Sequence, residues 1–172
     1  IYAGTVDNGV MYSLDSGISW QRPENELARN GHVVDVAVST KDVCTYFVAR
    51  TDRIIKTNDC GRTFDTGLYT ETRSQTTITA MSLDWYDPKI IWIGTSSGDV
   101  INSVNGGESW TTVTRLDDEI SDILISNADS RIVMVATMTS GLNRTIDSGA
   151  TWANFEKTLK DFKSVLLGLA CL

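Results

Sequence analysis

A chain of 172 residues with 41% hydrophobic and 22% charged residues has the make-up of one folded domain, which excludes a disordered tail as the main reading. Its formal net charge of −7 comes without any dense Lys/Arg cluster, which argues against binding nucleic-acid phosphates. The one long apolar run, SVLLGLACL at 164–172, is too short to span a bilayer.

Residues 1–24 start inside a strand pattern. YAGTVDNGVMY reads as strand, tight turn, strand, and SLDSGISW at 13–20 follows as a turn ending in an aromatic. With neither an initiator Met nor a signal peptide, the chain reads as a processed product or a piece of a longer protein. A second unit, 32–68, opens with the alternating run HVVDVAVS, passes through FVARTDRIIK and reaches TNDCGRTF at 57–64. The third, 77–113, runs TITAMSLDW, WIGTSSGDVIN and SVNGGESW at 103–110. The fourth, 119–156, runs EISDILIS, MVATMTSGLNR and TIDSGATW at 145–152. Residues 164–172 align with the strands that begin near Val33, Ile78 and Ile120. Each full unit therefore predicts four short strands, A to D, with the octapeptide on the turn between C and D. The spacings between Asp15, Asp59, Asn105 and Asp147 are 44, 46 and 42 residues, the period of propeller blades. The expected fold is an all-β propeller of antiparallel four-stranded blades, or a segment of one, in a single domain 1–172. It holds about four blades' worth of strands and reads as part of a larger ring, completed by further chain or by other copies. A small closed propeller is the alternative.

Within the octapeptide each residue type has its own reason. Asp15, Asp59, Asn105 and Asp147 supply a side-chain oxygen that folds back onto backbone N–H groups two residues on. Gly17, Gly61, Gly107 and Gly149 occupy a position where positive φ is cheap. Ser13, Thr57, Ser103 and Thr145 add a hydroxyl hydrogen bond, while Trp20, Phe64, Trp110 and Trp152 cover the turn and pack between strands. The device is predicted to be a structural hairpin clasp.

The pattern S/T-x-D-x-G-x-x-W resembles the Asp-box, or BNR repeat, of β-propellers that include sialidases, xyloglucan-type glycosidases and sortilin-like receptors. GT followed by YSLDSGISW, and GTSSGDVINSVNGGESW, are most similar to the photosystem II stability/assembly factor family and its bacterial relatives. This resemblance covers nearly the whole chain. It implies boxes that are peripheral structural turns, a protein or glycan partner and an extracytoplasmic setting. Asn105 in place of Asp and Phe64 in place of Trp predict two weaker clasps.

In an up-and-down blade the A–B and C–D turns share one end and the B–C turns and D–A connections the other. Partner contacts are expected at the end away from the boxes, where connections are long. There the connection 66–77, with Tyr69, Glu71 and Arg73, and the acidic run Asp117, Asp118, Glu119 mix an aromatic with both signs of charge. A sialidase would draw on Arg50, Arg73, Tyr69, Glu71, Asp117 and Glu119, but the chain has no F/Y-R-I-P motif. Another glycosidase would set Asp7 or Asp52 against Asp117 or Asp118, and no spacing selects a pair. The favoured function is thus a non-catalytic binding or assembly scaffold with no cofactor and no metal. A glycoside hydrolase fragment and a structural component of a surface layer, filament or viral particle are the alternatives.

Isolated residues add little. His32 stands without ligand-spaced partners and reads as a loop residue. Trp85, Tyr86 and Trp92 read as inter-blade core, with a sugar-stacking platform as the alternative. NRT at 143–145 fits a glycosylation acceptor but falls on a predicted strand. Cys44, Cys60 and Cys171 are too few for a disulfide framework; they read as incidental thiols or, for Cys44 and Cys60 at one end of the same blade, as a bridge.

Overall fold

Alternating apolar residues cannot bury both faces of a strand unless a sheet is covered on each side, and a stack of sheets provides that. The computed structural model describes residues 1–155. In it β3 (Asp35–Val38), β4 (Tyr46–Ala49), β5 (Arg53–Thr57) and β6 (Asp65–Thr70) form one antiparallel sheet in that order. The sheet β7 (Ile78–Leu83), β8 (Ile91–Thr95), β9 (Asp99–Ser103), β10 (Thr111–Arg115) repeats it, as does β11 (Ile120–Ile125), β12 (Val133–Thr137), β13 (Leu142–Thr145), β14 (Ala153–Asn154). The chain is all-β, a succession of propeller blades. Strands β4 and β8 are buried at every residue, as second strands held between two neighbours and two facing sheets must be.

The first blade is reduced. Strands β1 (Tyr2–Gly4) and β2 (Val10–Tyr12) make a two-stranded sheet, and the expected D strand shrinks to one bridge between Tyr12 and Gln21. Pro23 has no N–H to extend a ladder, and Asn25 then caps a short helix α1 (Glu26–Arg29) by accepting from Leu27 N at 3.0 Å. The strand expected at 164–172 lies outside the described residues.

The apolar cores sit at the blade junctions. Val10 and Val33 meet Tyr46, Val48 and Ile55 between the first two blades. Phe47, Ile54 and Leu68 meet Met81, Ile91 and Ile93 between the next two. Trp92 and Val100 meet Ile120, Ile123 and Val135 at the last. Trp92, 1% exposed, is the core residue expected of it. Trp85 and Tyr86 are not: each is 56% exposed, because they fall beyond the end of β7 in the A–B turn rather than on a strand face. His32 is exposed. Asn143 is buried in β13 and accepts from Asn154 Nδ2 at 2.9 Å, which leaves no room for a glycan.

The octapeptides close their turns through bonds that run four residues on, not two. Ser13 Oγ accepts from Gly17 N at 2.7 Å and donates to Asp15 Oδ1 at 2.8 Å; Asp15 accepts from Ser19 N at 2.8 Å and Ser19 Oγ at 2.6 Å. Two successive left-handed residues, Ser16 at φ 61° and Gly17 at φ 93°, curl the chain so that the fourth amide rather than the second faces the carboxylate. The same bonds recur around Asp59 and Asp147. Asn105 keeps the same partners, but its Nδ2 donates to Ser109 Oγ at 2.8 Å where the aspartates accept, so its bonds are neutral rather than charge-assisted. Phe64 does lose one, since Trp20, Trp110 and Trp152 each donate Nε1–H to the box glycine carbonyl at 3.1 Å.

In the second, third and fourth blades the box is tied to the A–B turn of its own blade: Cys60 N donates to Cys44 O at 3.0 Å, Gly106 N to Lys89 O at 2.9 Å and Ser148 N to Arg131 O at 3.0 Å. In one blade a disulfide, Cys44–Cys60, adds to this link. These turns define a box end, and the B–C turns with the D–A connections define a loop end.

Candidate functional site

At the loop end, the passage from β6 to β7 carries the best-organised polar cluster. Glu71 N donates to Asp52 O at 2.8 Å, so the connection leaves its strand pinned to the neighbouring B–C turn. The Glu71 side chain then folds inward, 2% exposed, and accepts from Arg73 N and Nε at 2.9 Å, Arg73 Nη2 at 2.7 Å and the Tyr69 hydroxyl at 3.1 Å. Arg73 also reaches across the blade boundary to Asp99, the first residue of β9. Asp99, with a side chain 1% exposed, accepts in addition from Arg115 Nε at 2.5 Å and Ser97 Oγ at 3.0 Å. Two buried carboxylates are thus clamped by two arginines whose outer edges face water, Arg73 at 40% and Arg115 at 62% side-chain exposure.

The electrostatics follow from these bonds. Hydrogen bonds from Arg73 hold the Glu71 carboxyl down to about 2. Burial opposes ionisation of Asp99, but Arg115, Arg73 and Ser97 together outweigh it and keep its carboxyl low. Burial and the charge of Glu71 push the Tyr69 phenol up to about 12. A sialidase nucleophile needs a tyrosine that gives up its proton and arginines open to the substrate carboxylate. Here the tyrosine holds its proton, stacks edge-on against Trp110 at 5.3 Å, and faces guanidinium groups already paired. Nor does either carboxyl hold a proton near neutral pH, as a glycosidase acid must. The arrangement is suited to presenting fixed charge.

The structure brings Tyr69, Glu71 and Arg73 together, with Tyr69 on β6 itself rather than in the connection. Asp99 and Arg115 join them unannounced, since each lies at a strand end and nothing local marks it. Asp118 accepts from Thr139 N at 2.6 Å, Ser140 N at 2.7 Å and Thr139 Oγ1 at 2.9 Å, fastening its connection to the next B–C turn. Those bonds outweigh partial burial and bring its carboxyl to about 2. Asp117 and Glu119 on either side are exposed. Among the described residues no group of acidic, His or Cys side chains is arranged to hold a metal ion. A separate hollow of about 240 Å³ lies beside Arg50, Asp52 and Arg53, but Asp52 is paired with Arg53 and Arg50 donates to Leu27 O at 2.7 Å.

No family model matches the chain, and no curated protein does. Solved structures do. An ancestral GH74 enzyme is similar at 20% identity and TM-score 0.71, over 88% of this chain and 22% of that one. The GH74 xyloglucanase of Xanthomonas campestris is similar at 16% identity and TM-score 0.68, over 89% and 28%. YCF48 in complex with a D1 peptide is similar at 18% identity and TM-score 0.57, over 71% and 39%. At such identities the likeness shows the propeller fold, and this chain spans well under half the length of each.

Proposed function

We propose that this chain is a non-catalytic propeller scaffold that binds a protein partner at its loop end, where Arg73 and Arg115 offer guanidinium edges fixed over Glu71 and Asp99 and flanked by the exposed carboxylates Asp117 and Glu119. The carrying observation is that both arginines are fixed from behind by buried carboxylates yet remain open to water in front, which makes them pre-oriented contacts. The peptide in the YCF48 structure favours a protein partner over a glycan. The Cys44–Cys60 bridge favours an oxidising, extracytoplasmic setting. On this reading the blades belong to a ring completed by further blades.

A hydrolase reading draws on the likeness to GH74 structures. Against it stands the low proton affinity of Glu71 and Asp99. Partner capture from the native source, followed by affinity measurement with the identified protein, tests the proposal. Arg115→Ala with Asp117→Ala is expected to weaken that complex about tenfold, while Ser16→Arg with Ser148→Arg leaves it intact. Loss only in the second pair, or turnover of a glycan panel abolished by Asp99→Asn, would overturn it.

A further inference from the structure

The box end carries an apolar surface that the repeat does not need. Trp85 and Tyr86 occupy the A–B turn of the third blade, where the matching residues are Thr40 and Lys41 in the second and Asn127 and Ala128 in the fourth. Both aromatics are 56% exposed, so they contribute little to the core. They are nevertheless held firmly. Thr40 Oγ1 donates to Trp85 O at 2.6 Å, Tyr86 N donates to Asp84 Oδ1 at 2.8 Å, and the Tyr86 hydroxyl donates to Asn127 O at 2.8 Å. The pair therefore spans three blades. On the same end are Val43 at 72% exposure in the A–B turn of the second blade, and Val104 at 66% and Ile146 at 58% in the boxes linked to the A–B turns of the third and fourth. Val104 and Ile146 follow the box hydroxyl residue, at a position whose side chain plays no part in closing the turn. Because these residues sit on end turns, completion of a ring would cover blade faces and leave them open.

The same turns are rich in carboxylates. Acidic residues outnumber basic ones in them, and hydrogen bonds from Thr63 and Thr151 hold Asp59 and Asp147, in the boxes of the second and fourth blades, ionised with carboxyls at about 2. We propose that the box end is a second interaction surface, taking a cationic protein segment that lays apolar side chains on Trp85, Tyr86, Val104 and Ile146 and directs Lys or Arg to the box aspartates. Charge complementarity favours this occupant. A second copy of a chain with net charge −7 would set carboxylates against carboxylates, and a glycan would leave the aliphatic residues and the excess of negative charge without counterparts. This surface is independent of the loop-end reading.

The test uses an amphipathic helical peptide of Leu, Trp and Lys as probe, with a counterpart in which every Lys is Glu. Fluorescence anisotropy follows binding to the wild-type chain, to Trp85→Ser/Tyr86→Ser and to Val104→Ser/Ile146→Ser, with Arg115→Ala as the opposite-end control and thermal melts to verify folding. The lysine peptide is expected to bind, to weaken by about tenfold in each box-end variant and with added salt, and to be unaffected by Arg115→Ala. Equal affinity across variants, equal binding of the glutamate peptide, or binding lost only in Arg115→Ala would overturn the proposal. So would sedimentation showing a wild-type dimer that Trp85→Ser/Tyr86→Ser dissolves, or oligosaccharide binding that the same variant removes.

Discussion

Asp35 offers a direct test of how the inner strands are packed. It lies on β3, partly buried, and burial followed by the negative charge of Asp122 raises its carboxyl from 3.8 to about 6. Its Oδ1 accepts from Val36 N at 2.7 Å, a bond the amide oxygen of Asn can also accept. The raised value means that the folded chain keeps a proton that the unfolded chain releases, so stability is greatest below about pH 4 and falls as pH rises through about 6. A rise of roughly two pH units corresponds to at most about 3 kcal/mol, and solvent screening of a partly exposed side chain reduces it to about 1–3 kcal/mol. Asp35→Asn removes the ionisation and keeps the hydrogen bond. Urea unfolding should find the variant and wild type equal near pH 4 and the variant more stable by about 1–3 kcal/mol above about pH 7. Glu71 and Asp118, held near about 2, lose their contribution only in a lower window and do so equally in both proteins. A difference that stayed constant across this range, or wild type becoming the more stable as pH rises, would refute the assignment.

Other substitutions separate neighbouring roles. Gly107→Ala should cost about 1–3 kcal/mol, since its φ is +96° and a Cβ would stand 2.7 Å from Leu68 Cδ2; Gly106→Ser, at φ +78° with only Lys89 Cγ near, at 3.8 Å, and with serine at the matching left-handed Ser16 and Ser148, should cost under about 1 kcal/mol in the same unfolding assay. Cys44→Ser with Cys60→Ser should lower stability by about 3 kcal/mol, the chain-entropy value for a separation of 16 residues, with dithiothreitol reproducing the loss in wild type and having no effect in the variant. Asp118→Ala should cost about 1–3 kcal/mol by leaving the Thr139 and Ser140 amides without their acceptor, whereas exposed Asp117→Ala should leave the melting temperature within a degree or so.

The repeat was legible because its signals are local. A hydroxyl, an acidic residue, a glycine and an aromatic at fixed offsets declare a turn, and period-two runs declare the strands on either side. Long-range contacts leave no such mark. Asp99 follows SSG in a turn like any other, and only the fold brings Arg73, 26 residues before it, and Arg115, 16 residues after it, onto one carboxylate. Trp85 and Tyr86 misled for a related reason. Their size suggests core, but the β7 ladder ends at Leu83, and a large aromatic just beyond a strand end is free to face solvent. Asp118, expected among the partner contacts, also fastens its connection, a role hidden from local sequence because the amides it serves lie 21 and 22 residues further along.

The box itself does more than close a hairpin. Besides its bond within the turn, Trp110 Nε1 donates to Leu68 O of the preceding blade at 2.6 Å, and Leu68 fills the space beside Gly107. Trp152 packs edge-on against Trp92 of the preceding blade at 6.4 Å, and Gly149 sits directly against Val113 of that blade. Glycine is therefore required at these two boxes twice over, by its left-handed backbone and by the neighbour that occupies the place of a side chain. In the first blade both contacts are missing from the described residues: Gly17 meets only Ile1 and Trp20, and Trp20 is 41% exposed. The same octapeptide thus acts as an inter-blade staple in the third and fourth blades, whereas in the second Gly61 and Phe64 both meet Tyr46 of their own blade. That coupling makes neighbouring blades depend on one another for stability, while the B–C turns and D–A connections at the opposite end carry no box, so that sequence there can vary toward binding.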